Sequence, residues 1–247
     1  MRLQGKVACI TGAAQAIGQA IALRFAQEGA IVLLNDGSNA DELARLVDEI
    51  RASGQQVGAI EGDVRSETEV KCMLESILQT YSHIDIWVNA ATAMFFGEAG
   101  DQEYSEEEHF RRLLAVDVKG TFICCNAIAP IMQSQASGCI INMSWDAALS
   151  EGAAGADNVM LAAAKGAVRS LSMSLAREYA PTVRVNVIAP GSMDASAAYP
   201  IVAEHNAPLE RLCTPDDVAE VALHLASPEA SYISGQTLVV NGGRIMY

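Results

Sequence analysis

Residues 7–25 read VACITGAAQAIGQAIALRF. The first five form a short apolar run of strand type, a glycine-containing turn follows, and a helical apolar period begins near Ala16. A strand–turn–helix context is what makes a glycine-rich turn informative. Gly12 allows a sharp reversal, and Gly18 allows the helix to pack closely on the sheet. The helix start then offers unpaired N–H groups and the positive end of its dipole to a pyrophosphate. The alternative reading is a plain β–α turn with no ligand. Asp36 closes the second apolar run. A carboxylate there can accept from a ribose 2′-hydroxyl and repels a 2′-phosphate, favouring NAD over NADP. It also fits ordinary turn chemistry, since NDGS is a good turn sequence.

The alternation continues outward from this unit. Strand-like runs occupy 7–11, 30–35, 56–61, 84–90, 138–144, 183–189 and 237–241. Helical patterns fill roughly 16–28, 40–53, 67–81, 105–134, 158–180 and 215–226. Alternating β and α units predict an α/β fold, a Rossmann-type doubly wound parallel sheet of about seven strands with helices on both faces. No linker or repeat interrupts residues 1–247, so one dinucleotide-binding domain is expected. Residues 190–214, rich in Pro, Ala and Ser, read as a loop or lid.

The 247 residues are 51% hydrophobic and carry a formal net charge of −14. So acidic a surface repels nucleic acid and an anionic membrane leaflet, so neither is an expected partner. The six cysteines form no C-x-x-C pair and have no zinc spacing, so no metal is expected. They read as reduced, structural thiols. With no 18-residue apolar run and no cleavage signal at the N-terminus, a soluble cytoplasmic protein is expected.

Several ordered motifs together resemble the short-chain dehydrogenase/reductase family, close to its 3-oxoacyl-carrier-protein-reductase-like members. TGAAQAIG (11–18) resembles the family's T-G-x-x-x-G-I-G, and GDV (62–64) its adenine-contacting turn. VNAA (88–91) resembles N-N-A-G, VIAPGSMDA (187–195) the P-G turn at the nicotinamide, and YISGQTLVVNGG (232–243) the C-terminal strand. The resemblance implies cofactor contacts at Gly12, Gln15, Ala16, Ile17, Gly18, Asp36, Asp63, Val64, Asn89, Ala90, Ala91, Lys165, Pro190 and Gly191. It also implies a homotetramer or dimer built on the helices near 105–134 and 158–180, which carry apolar residues on more than one face.

The departures fall on the chemistry. The family's proton relay uses Asn, Ser, Tyr and Lys. Lys165 fits the lysine, while Leu161, four residues earlier, takes the tyrosine position. Trp145 takes the serine position, with Ser144 one residue before it on the opposite side of an extended chain. Asp117 replaces the asparagine. Ala16 and Ala91 replace glycines near the cofactor, which predicts weakened binding. Lys165, Asp117 and Ser144 are therefore the remaining candidates for catalysis. Leucine can neither donate a proton nor orient a carbonyl, and loss of a positioned acid costs about 10²–10⁴ in rate.

Three functions stay open. One is a cofactor-binding member without the usual ketone/alcohol hydride transfer. The second is an active NAD-dependent oxidoreductase with a substitute acid such as Asp146, Asp157 or Tyr199. The third is a non-redox lyase or isomerase. The expected plug is Leu161 packed with Trp145 over the nicotinamide position.

Overall fold

The computed structural model describes residues 1–93, 105–149, 156–193 and 207–246. Seven parallel strands form one sheet: β1 (Val7–Thr11), β2 (Ile31–Asn35), β3 (Val57–Ala59), β4 (Ile86–Asn89), β5 (Gly138–Met143), β6 (Val183–Pro190) and β7 (Thr237–Val240). Their spatial order is β3-β2-β1-β4-β5-β6-β7. The order reverses between β1 and β4, which pair in register from Ala8↔Ile86 to Thr11↔Asn89. Loops diverge at that switch point and leave a crevice beyond the strands' carboxyl ends, where ligands bind in open α/β sheets.

Strand periodicity sorts the core into two layers. Ala8, Ile10, Val32, Leu34, Val88 and Ile141 face one side, where they meet α1 (Ala16–Gln27), α2 (Ala40–Ala52) and α7 (Pro215–Ala226). Val7, Cys9, Leu33, Trp87, Ile140 and Val185 alternate with them. This second set meets α3 (Glu67–Tyr81), α5 (Thr121–Ser134) and α6 (Ala156–Glu178). Both faces are covered, which accounts for strands that are apolar at nearly every position.

The predicted helix 105–134 is one continuous rod with a local change of pitch. α4 (Glu106–Leu113) passes into a π-helical segment, Leu114–Gly120, and then into α5. By length and apolarity this rod could cross a membrane. Ile123, Cys124, Cys125, Ile128, Ala129 and Met132 are instead buried against the sheet, as in a core helix. β5 ends at Met143, so Trp145 lies two residues beyond the strand. In the predicted lid, residues 194–206, Tyr199 among them, lie outside the described residues, as does the side chain of Asp157.

Candidate functional site

The phosphate-type turn is built by steric exclusion. Gly12 has φ +66°, and a Cβ there would stand 2.6 Å from the Ala91 Cα. The turn is therefore pressed against the chain leaving β4, and only glycine permits both the left-handed backbone and the contact. A Cβ on Gly18 would collide with the Gly12 carbonyl, so the first turn of α1 sits directly on the loop. No side chain caps α1, which leaves its first N–H groups available. Ala16 is exposed, Ile17 is half-buried, and Gln15 donates through Nε2 to the Thr92 carbonyl across the crevice at 3.1 Å. A bare helix start over a glycine cradle fits a pyrophosphate.

Asp36 lies beside this turn and is fully engaged. One carboxylate oxygen accepts from Ala14 N at 3.1 Å. The other accepts from Ser38 N, Ser38 Oγ and Asn39 N. Asp63 pairs with Arg65 at 2.6 Å, and the hydrogen-bonded guanidinium holds its carboxyl below the usual range. Val64 is buried against Gly120, whose added Cβ would stand 3.0 Å from Val64 Cγ2. Asn89 is also buried, but its side chain turns inward. It accepts from Trp87 Nε1 at 2.8 Å and donates to Asn142 Oδ1 at 2.8 Å. Asn142 in turn donates to Ser172, tying β4, β5 and α6 together. Asn89 thus presents backbone rather than amide to the crevice. Ala90 is buried and Ala91 half-buried at its floor, while Pro190 and Gly191 close the end of β6.

The chemical candidates converge on the opposite wall. Lys165 Nζ lies 2.7 Å from Asp117 Oδ1, with side chains 8% and 0% exposed. Asp117 also accepts from Thr92 Oγ1 at 2.7 Å and from Ala93 N at 2.9 Å. Three donors thus satisfy this one buried carboxylate. The π-helical segment carries Asp117 to this position; such inserted turns are frequent at functional sites. Leu161 is buried with Leu113 and Ala164, and Trp145, Met160, Val118 and Ala93 pack against that cluster. Ser144 faces away: its Oγ donates to the Lys165 carbonyl at 2.9 Å, and its N–H to Ile188 O at 2.8 Å.

Asp146 is 0% exposed. Arg244 donates to it through Nε at 3.0 Å and Nη2 at 2.8 Å, and Asn241 Nδ2 donates at 3.2 Å. It is committed to this network, which counts against it as a substitute acid. Among the described residues, no cluster of three or more His, Cys, Asp or Glu could hold a metal. The partners that sequence reasoning missed are Thr92, Asn241 and Arg244. Thr92 directly follows the VNAA motif, which was a usable signal. Arg244 is 98 residues from Asp146, and nothing local couples them.

The family described as "Enoyl-(Acyl carrier protein) reductase" matches residues 12–244. The chain is 36% identical to 3-oxoacyl-(acyl-carrier-protein) reductase FabG of Thermotoga maritima, over the whole of both chains. It superposes on the crystal structure of a hydroxysteroid dehydrogenase from Escherichia coli with TM-score 0.84, at 33% identity, covering 99% of this chain and 98% of that one. NAD⁺-bound xylitol dehydrogenase superposes with TM-score 0.85 at 26% identity, over 98% of this chain and 100% of that one. The glycine cradle, the β1/β4 switch point and a family match over almost the whole length agree: the chain belongs to the short-chain dehydrogenase/reductase family of nicotinamide-cofactor-binding oxidoreductases.

Proposed function

We propose that this protein is a single-domain short-chain dehydrogenase/reductase that binds NAD in preference to NADP and has lost the family's usual proton relay. One observation carries the reading. The positions of the family's tyrosine and serine, Leu161 and Trp145, belong to one apolar cluster, while Lys165 is paired with Asp117. Two large apolar groups packed together exclude water, and their burial stabilises by a few kcal/mol.

A bound nicotinamide would supply a hydride to or from a carbon centre. The start of α1 and the Gly12–Gly18 cradle would hold the pyrophosphate. Asp36 would meet the adenosine ribose, and Asp63 with Val64 would flank the adenine. Ala91, Pro190 and Gly191 would border the nicotinamide half. Lys165 would serve ribose hydroxyls, with Asp117 fixing its position and neutralising its charge. Trp145 can offer a single indole N–H, and Leu161 no donor at all. A carbonyl oxygen at that wall would find neither an acid nor an orienting hydroxyl. Ser144 cannot substitute from its place, because its hydroxyl is spent on the Lys165 carbonyl.

The direct test is reversion. The double variant Leu161→Tyr, Trp145→Ser should raise NADH-dependent reduction of simple ketones by roughly 10² or more. If the unmodified protein already reduces a ketone at about 1–10³ per second, the reading fails. Calorimetric titration with both cofactors tests the preference, and tighter binding of NADP would overturn it.

Assembly belongs to the same proposal. Phe110, Leu114, Phe122, Val159 and Met173 stand exposed on α4, α5, α6 and the π-helical segment between α4 and α5. Such a surface suits a homotetramer or dimer in the cytoplasm.

A further inference from the structure

Trp145 sits between two anchored neighbours. In an extended stretch, side chains at positions one apart point to opposite sides. Trp145 has extended backbone, φ −150° and ψ 139°. Before it, Ser144 is tied through Oγ to the Lys165 carbonyl and through N–H to β6. After it, Asp146 opens the short 3₁₀ turn Asp146–Ala148 and is fully buried. With both neighbours pinned inward, the indole is driven to the other side, against the Leu161 cluster.

Among the described residues, the side-chain donors to the Asp146 carboxylate come from the C-terminal end of the chain. Arg244 grips its two carboxylate oxygens with a two-pronged guanidinium contact, the strongest neutralising geometry available to a carboxylate. Asn241 adds a third donor to Oδ2. Gly191 leaves room for this arrangement: a Cβ there would stand 2.7 Å from Asn241 Cβ and 3.2 Å from Asp146 Oδ2. The turn that carries Arg244 also receives Leu209, whose N–H donates to Gly242 O. A buried carboxylate without its partner would be strongly disfavoured, so its place in the wall depends on Arg244.

We propose that the buried Asp146–Arg244 pair is a positioning device that holds Trp145 in the cleft wall, so that the C-terminal turn governs the apolar surface of the cleft. This rests on the reading of Trp145 as part of a plug. Arg244 acts through Asp146 and the backbone. Specificity at the wall is thereby linked to a segment about a hundred residues away.

The protein's two tryptophans allow a direct measurement on the full chain. Trp87 is fully buried, and Trp145→Phe supplies its spectrum alone. Subtraction gives the Trp145 emission. In Arg244→Ala the Trp145 component should shift to the red and become more quenchable by acrylamide, while the Trp87 component stays unchanged. Added methylguanidinium should reverse the shift. Arg244→Lys, which keeps the charge but loses the fork, should fall between the two. An unchanged Trp145 component in Arg244→Ala, with only a lowered melting temperature, overturns the proposal. So does a shift that methylguanidinium leaves untouched. Should Arg244→Ala not fold, Arg244→Lys carries the same readout, and an unshifted Trp145 there is equally fatal. Ketone turnover by the unmodified protein would defeat the plug reading but leave this emission result to stand or fall separately.

Discussion

Asp117 shows how much one carboxylate decides. With Asn at that position, Lys165 would be a buried cation facing a neutral amide; with Asp it has a counter-charge at 2.7 Å. Removing one member of a buried pair leaves the other uncompensated, so Asp117→Ala should destabilise by about 3–5 kcal/mol in urea denaturation. Asp117→Asn, which keeps the acceptor for Ala93 N, should cost less. If the alanine variant loses under about 1 kcal/mol, the pair is not the anchor of this wall. The thiols give a second test at this scale. Five of the six cysteines are buried and Cys72 is exposed. Burial pushes Cys125 up to about 12 and Cys213 up to about 11, and raises Cys9, Cys124 and Cys139 as well. A thiol held neutral is a poor nucleophile. Ellman titration of the native protein should therefore label one thiol quickly, and a Cys72→Ser variant should lose that phase.

At the scale of elements, the helix starts carry local signals that act as designed. Thr214 forms a reciprocal capping box with Asp217, and Pro215 follows at the first helical position of α7. Thr214→Ala should cost about 1 kcal/mol in thermal or urea unfolding. Asp217 also accepts from Arg211, whose hydrogen bond lowers its pKa well below the ordinary carboxylate value. A depressed folded pKa contributes stability above the unfolded value and loses it as pH falls through the folded one. The contribution of the Asp217 contacts should accordingly be present at neutral pH and fade in strong acid. An Arg211→Ala variant should show a shallower acid-side loss of stability than the unmodified chain. By contrast, α1 has no side-chain cap. A helix start without a side-chain cap at the switch point is chemically suited to an anionic ligand.

Taken whole, the molecule stores a predictable weakness at high pH. Five thiols have pKa values raised by burial, whereas in the unfolded chain they titrate near their ordinary value of about 9. A raised folded pKa gives stability that is complete below the unfolded value and declines as pH rises above it. Each thiol should contribute a slope of about 1.4 kcal/mol per pH unit once ionised in the unfolded chain. Urea midpoints measured under reducing conditions should fall between neutral pH and about pH 10. A flat profile would mean that these thiols titrate normally in the fold. Assembly also belongs at this scale. Exposed Phe122, Val159 and Met173 on α5 and α6 lead us to expect a dimer or tetramer by light scattering. A monomer at micromolar concentration would refute it.

The seven strands and the helices between them were legible along the sequence because their causes are local. Apolar runs such as VACIT and IVLLN, the glycines at 12 and 18, and the caps before α2, α3 and α7 each act over a few residues. The alternation of strand and helix predicts a parallel sheet covered on both faces, whereas the strand order, and with it the switch point between β1 and β4, comes from the tertiary pairing. The resemblance of the surrounding motifs to the family's is what implies that Asp117, Trp145 and Leu161 stand at its relay positions. What those residues do is a matter of contacts across the fold. Asn89 turns inward because Trp87 and Asn142 satisfy its amide. Asp117 reaches Lys165 because a π-helical segment rotates it into the crevice. Asp146 is claimed by Arg244 from the far end of the chain. Such pairings depend on which groups the packed layers bring within 3 Å of one another, and a buried charge takes the partner that tertiary structure delivers.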